Sequence, residues 1–383
     1  MDLISPRFET NISTPKGIAL IALDVLLPRD ILKIILLKTI THEIHLKIFR
    51  TVCKTLREVI IELLMMNKIT IRSYFPSGKC TWAAARGYLE LLKWARATDC
   101  KWNSLTCAMA AKNGHVKILK WARANGCPWD HRTCEKAALN GHLKVLQWAR
   151  EHGCEWNSDT CSCAAKGGHL EVLKWARENG CEWDNHTCRN AAAGGHLEVL
   201  KWAREHGCRP KIFDSFDNAF CKRASWDSWI CADAALNGHL EILKWARENG
   251  KRDPSVDTGN GLSVPGCEWN SWTCSSAASG GHLEVLKWVR ENGCGWDYWT
   301  CARAASGGHL EVLKWAHENG CVWNEETCAG AASNGHLEVL KWARENGCEW
   351  NEETCEGAAS NGHLEVLKWA IINGCPYDDN ISV

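Results

Sequence analysis

The chain has 383 residues, and its 45 Lys and Arg balance 45 Asp and Glu for a formal net charge of zero. Attraction to a phosphate backbone or an anionic lipid surface needs an excess of basic charge, so this balance argues against nucleic acid and membranes as partners. No apolar run approaches the ~20 residues of a membrane-spanning helix, and 23 cysteines in a chain this long suit small apolar side chains or metal ligands of an intracellular, cytoplasmic protein better than a secreted disulfide frame.

In chain order, residues 1–20 read as a disordered tail. Gly17 to Leu23 is a short apolar stretch that Asp24 ends without a small-residue cleavage site, so a secretory signal is not expected. Residues 21–66 have a rhythm of their own. Pro28 fits a first helical turn, Ile31, Leu32, Ile35 and Leu36 recur at helical spacing, and a second helical stretch carries Ile48, Val52, Leu56, Val59 and Ile60. The pairs Leu27-Pro28, Ile31-Leu32, Val52-Cys53, Leu56-Arg57 and Val59-Ile60 make residues 27–60 resemble an F-box, the small helical module that docks on the adaptor subunit of cullin-RING ubiquitin ligases. The resemblance implies adaptor contacts through Leu27, Pro28, Ile31, Leu32, Ile35, Val52 and Leu56, although Leu56 stands where that family often has Trp. A plain helical cap for the segment that follows is the other reading of these residues, since terminal repeats need covering. Residues 67–79 read as a linker.

From Cys80 onward one sentence is written ten times. Aligned on the glycine of a recurrent Gly-His pair, the units fall at Gly87 (followed by Tyr88), Gly114, Gly141, Gly168 and Gly195, then at Gly238, then from Gly281 to Gly362, with a spacing of 27 residues except for two gaps of 43. Both long gaps insert 16 residues, 209–224 and 251–266, at the same point of the unit, which places them in loops. Phe213, Phe216 and Phe220 give the first insert helical spacing, whereas the second is rich in turn formers. Within one unit, Asp184 is a helix N-cap, Thr187 to Ala192 continue a first helix, Gly194-Gly195 break it, and His196 to Glu205 form a second helix that Gly207 ends. Leu197, Val199, Leu200, Trp202 and Ala203 form its broad apolar side. So small a unit cannot bury that side alone. Stacking is therefore required, and the expected fold class is all-α, a helical-repeat solenoid of ten helix-turn-helix units over residues 80–383.

The stretch TCSCAAKGGHLEVLKWAREN, Thr160 to Asn179, followed by GCEWD, resembles the ankyrin repeat in its Ala-Ala pair, Gly-His turn, Val-Leu helix and closing Asn-Gly. The resemblance runs from Cys80 to about Asp378. Each unit is about six residues shorter than the usual 33, which must shorten the β-hairpin finger, and T-C-x-x replaces the family's TPLH start. This Trp- and Cys-rich variety is similar to repeats of large DNA viruses and some protists.

Cysteine recurs at the head of each first helix, as at Cys161 and Cys188, and in each connector, as at Cys181 and Cys208, while Cys53, Cys163 and Cys221 lie outside both series. Both positions suit a small apolar residue. A zinc site from Cys181, Cys188 and His196 is conceivable by ligand type, but its C-x6-C-x7-H spacing is unlike the tight pairs of structural zinc sites, and buried thiols with a backbone-bonding turn histidine are expected instead. Second-helix tryptophans such as Trp202 are expected in the core, and connector tryptophans such as Trp183 over the seams.

If the shared letters build the scaffold, the unshared ones are free to recognise something. They cluster just before and within the first helix, which in ankyrin-like stacks lines the concave binding face. The candidate partner-binding residues are His131, Arg132, His186, Arg189, Trp229, Asp233, Trp272, Tyr298, Trp299 and Arg303. Trp229, Trp272 and Trp299 share one site in three successive units and so form an expected aromatic ladder, unless they only cover the neighbouring inserts. Glu325, Glu326, Glu352 and Glu353 turn the last units acidic. No unit offers a phosphate loop or a nucleophile with its base, so no enzyme activity, cofactor or metal is expected. The reading is a monomeric interaction protein, a substrate adaptor that binds a protein on its repeat face and a cullin-RING ligase adaptor at residues 27–60. Its main alternative is a scaffold or inhibitor without ubiquitin transfer, and a metal-storing thiol protein is the third class.

Overall fold

A computed structural model describes residues 79–97, 99–208, 226–249 and 269–377. The tail, the F-box-like segment with Leu27, Pro28, Ile31, Leu32, Ile35, Val52 and Leu56, and both inserts lie outside the described residues. Among the described residues there are twenty helices and no strand. The fold is thus all-α and ankyrin-like, as the period required.

The chain divides into two units. The smaller includes residues up to Ala110 and Lys117–Pro128; the larger comprises Ala111–Val116 and everything from Trp129. The first four helices are α1 (Lys79–Arg86), α2 (Leu89–Ala97), α3 (Ser104–Lys112) and α4 (Val116–Ala124). Within the smaller unit Leu91, Leu92, Ile118 and Leu119 are buried with Cys80, Cys107 and Cys127. Asp99 adopts a positive φ of 58° where other repeats place glycine, a conformation that Asp tolerates better than most side chains.

The larger unit continues with the pairs α5 (His131–Leu139) and α6 (Leu143–Glu151), α7 (Ser158–Lys166) and α8 (Leu170–Glu178), and α9 (Asn185–Ala193) and α10 (Leu197–Glu205). Beyond the first insert come α11 (Trp226–Leu236) and α12 (Leu240–Asn249). Beyond the second come α13 (Ser271–Ser279) and α14 (Leu283–Glu291), α15 (Tyr298–Ser306) and α16 (Leu310–Glu318), α17 (Glu325–Ser333) and α18 (Leu337–Glu345), and α19 (Glu352–Ser360) and α20 (Leu364–Ile372). From α5 to α19 each first helix packs on the next first helix. The inserts do not break this succession, since α9 packs on α11 and α11 on α13.

Local chemistry fixes the element ends. Asp184 caps α9, accepting the His186 backbone N–H at 3.0 Å, and six residues, Asn179 to Asp184, are all that remains of the finger between α8 and α9. Each repeat's core takes its Cys-x-x-Ala-Ala from the first helix and its Val-Leu-x-x-Ala from the second, as in Cys188, Ala191, Ala192, Val199, Leu200 and Ala203, all at most 2% exposed.

One expectation needs correcting. The second-helix tryptophans are half-buried rather than in the core. At 100° per residue, Val199, Ala203 and Leu200 span an arc of about 100°, and Trp202 falls about 60° outside it. The indole therefore lies on the flank of the helix. There it meets a connector tryptophan edge-to-face, as Trp183 does Trp202 at a ring separation of 5.7 Å.

Candidate functional site

Three devices recur and leave the variable positions free. The first is a latch from repeat to repeat. His196 Nε2 lies 3.0 Å from the Lys166 carbonyl oxygen at the end of the preceding first helix, and His142, His239, His309 and His336 repeat the contact. The backbone-bonding role expected of the turn histidine is thus observed.

The second is a clasp at each connector. Arg177 donates through Nη1 to the Cys181 carbonyl at 2.5 Å and lies 4.3 Å over the Trp183 ring. Arg96 and Arg150 repeat it, each 4.1 Å from its tryptophan, and His317 substitutes by stacking on Trp323 at 3.7 Å. Sequence reading missed this clasp, although its signal was present as an Arg six residues before most connector Trp residues, as in Arg96–Trp102, Arg150–Trp156 and Arg177–Trp183.

The third is a thiol pair inside most repeats; Cys231 instead takes part in a disulfide. The first-helix cysteine meets the connector cysteine 20 residues on: Cys161 donates toward the Cys181 carbonyl at 4.0 Å, and its hydrogen bond to the Cys181 thiol together with burial pushes its pKa up. Cys188 pairs in the same way with Cys208, whose own Sγ donates to the Asp184 carbonyl at 3.1 Å. The zinc set Cys181, Cys188 and His196 is therefore split among three different partners. Among the described residues no three His, Cys, Asp or Glu side chains converge in a way that could hold a metal ion.

On this frame the candidate partner-binding residues separate into two groups, all within the larger unit. Trp229, Trp272 and Trp299 are exposed at 41%, 52% and 42% on the consecutive first helices α11, α13 and α15. Trp229 and Trp272 meet edge-to-face at 5.5 Å, while Trp299 lies against half-buried Tyr298 at 5.0 Å. Arg189 sits 5.0 Å from the Trp229 ring centroid, and exposed Arg303 5.7 Å from that of Trp299. Other charged candidates are already engaged. Arg189 grips Asp233 through Nε at 2.7 Å and Nη2 at 3.3 Å, which ties α9 to α11 across the first insert. Arg132 is held by its own N-cap, Asp130, at 2.6 Å, and His131 lies 3.7 Å from Glu135. His186 is exposed. Sequence reading also missed Val322, 67% exposed in a connector where Glu182 and Glu349 mark the usual choice.

Comparison with known families agrees with this geometry. Residues 161–204 match the family of ankyrin repeats (many copies). No curated protein matches the chain significantly. Family match and helical-repeat fold together support an ankyrin-repeat protein, and ankyrin repeats are protein–protein interaction modules. No described helix is long and apolar enough to cross a membrane.

Proposed function

We propose that the chain is a substrate-recognition adaptor of a cullin-RING ubiquitin ligase, holding a target protein on the variable face of its first helices while residues 27–60 engage the ligase. The observation that carries the target-binding half is the exposure of three tryptophans at one site of successive repeats, since large exposed aromatics concentrate at binding hot spots. Support for the ligase half comes from the sequence resemblance of residues 27–60 to an F-box. On this reading the protein binds and presents, and catalyses nothing itself.

Co-purification of the full chain with the ligase adaptor subunit tests the proposal. Leu27→Ala with Pro28→Ala should abolish the association while leaving the repeats folded. If the association never forms, or survives both changes, the protein is instead a scaffold that tethers or blocks its partner without ubiquitin transfer.

A further inference from the structure

The tryptophan site does not end with tryptophan. Counting 27 residues on from Trp272 gives Trp299, then Glu326 and then Glu353, so one position of five consecutive first helices reads Trp229, Trp272, Trp299, Glu326, Glu353. Those helices, α11, α13, α15, α17 and α19, pack on one another in that order, which makes the five positions one continuous row. Beside the last two stand Glu325 and Glu352, both exposed. None of the ion pairs among the described residues involves any of these four carboxylates, whereas Arg132, Arg189 and Asp233 of the preceding repeats are paired within the protein. The row therefore changes along its length from apolar to negative, and only its negative end is uncompensated.

The outer rings of the aromatic end are already covered from within the chain. Arg189 and Arg303 rest over the two outer rings, as the negative face of an indole favours a guanidinium. Trp272, the most exposed of the three, lies between them in the row.

We infer that this row binds a protein segment carrying a bulky apolar side chain at one end and a cluster of Lys or Arg at the other, the apolar residue seated at Trp272 and the basic cluster facing Glu326 and Glu353. The inference rests on the reading of this face as the target site. Packed helices lie about 8–10 Å apart, so three steps from Trp272 to Glu353 cover about 24–30 Å. An extended chain rises about 3.3 Å per residue, so the apolar anchor and the far basic residue stand about eight residues apart. A nucleic-acid partner is disfavoured, because phosphates would meet the four free carboxylates.

The test is selection of a random 16-residue peptide library on the full chain. Recovered peptides should pair an aromatic or aliphatic residue with Lys or Arg about eight positions away. Their affinity should fall on the order of tenfold with Trp272→Ser, as for loss of an interface hot spot. It should also fall with Glu326→Gln plus Glu353→Gln, and that double variant should flatten the salt dependence. Trp272 and Glu353 are exposed and Glu326 is half-buried, and circular dichroism of each variant confirms that it folds. Peptides that need Trp272 but lack basic residues, or ignore the double variant, overturn the charge assignment and leave the face as a binding site. Peptides indifferent to Trp272, or none recovered above background, overturn both. Selective binding of single-stranded RNA by the same row would also overturn the inference.

Discussion

The Nε2 atom of His196 lies 3.0 Å from the carbonyl oxygen of Lys166, thirty residues back in the chain and one repeat away. The contact consumes a carbonyl that the end of α7 leaves without an intrahelical partner. It also commits an imidazole to a half-buried site beside other imidazoles. For His169 and His282 this burial, with the neighbouring histidines adding to it, lowers the pKa below 6.5, against the opposing pull of the carbonyls of Leu139 and Leu236. A depressed histidine pKa means that the unfolded chain binds more protons just below pH 6.5. The resulting stability is fully present above pH 6.5 and is lost as the pH falls toward the folded-state pKa. Thermal melts should show a lower Tm at pH 5.5 than at pH 7.5, and His169→Gln with His282→Gln should reduce that difference. A melting temperature that rises on acidification would contradict the assignment.

The latch explains why the turn glycines are not equivalent. Gly168 has a φ of 75°, and a Cβ there would lie 2.5 Å from the His196 ring. Gly180 has a φ of 82° but nothing within 4 Å of the same added atom. Gly180→Ala should therefore cost only the left-handed strain, about 1 kcal/mol. Gly168→Ala must also displace the imidazole and break its bond to Lys166, for a total of about 2–3 kcal/mol. Urea denaturation of the two variants measures the difference, and equal midpoints would show that the histidine moves aside without cost.

The order of these effects marks what could be read from the sequence. Periodicity displayed the helix pair, its Asp184 cap and its Gly207 stop, because those signals act within a few residues of their targets. It could not display the His196–Lys166 latch or the thiol pairs, which need the rotation between stacked units and the path of the connector. The fixed 20-residue offset of Cys161 and Cys181 was visible but did not by itself require contact. Trp202 was misplaced because hydrophobicity ranks it with Leu200, while helix phase sets them on different sides. At the candidate site, Trp229, Trp272 and Trp299 were legible as exceptions to the repeat. The mutual engagement of Arg189 and Asp233 was not, because the two residues are 44 positions apart with an insert between them.

Arginine at the connector clasp should resist conservative replacement. Arg177 uses a planar fork, donating to the Cys181 carbonyl while its face lies on Trp183. A lysine can keep the charge but cannot do both at once. Arg177→Lys should lower stability by about 1 kcal/mol, the size of one hydrogen bond with a modest cation–π contact. Arg177→His should do less harm, because His317 already fills the equivalent position by stacking on Trp323. Chemical denaturation ranks the variants, and a lysine variant as stable as the parent would show that charge alone suffices at this position.

The threonine before most first-helix cysteines offers a stabilising change; before Cys231 the position is already the apolar, β-branched Ile230. Thr300 is fully buried, its backbone N–H bonds the Asp297 carbonyl at 3.0 Å, and its hydroxyl has no hydrogen-bond partner; Thr133, Thr160, Thr187, Thr273 and Thr354 repeat the pattern. An unpaired buried hydroxyl costs about 1–3 kcal/mol relative to its hydrated state, part of which dispersion contacts recover. Valine keeps the β-branched shape and the backbone bond while removing the oxygen. Thr300→Val should therefore raise stability by about 1 kcal/mol. Combined with Thr133→Val in a non-adjacent repeat, the gains should add, because the sites share no contacts. Differential scanning calorimetry measures both, and a loss of stability on either change would reveal a hydroxyl partner such as an enclosed water.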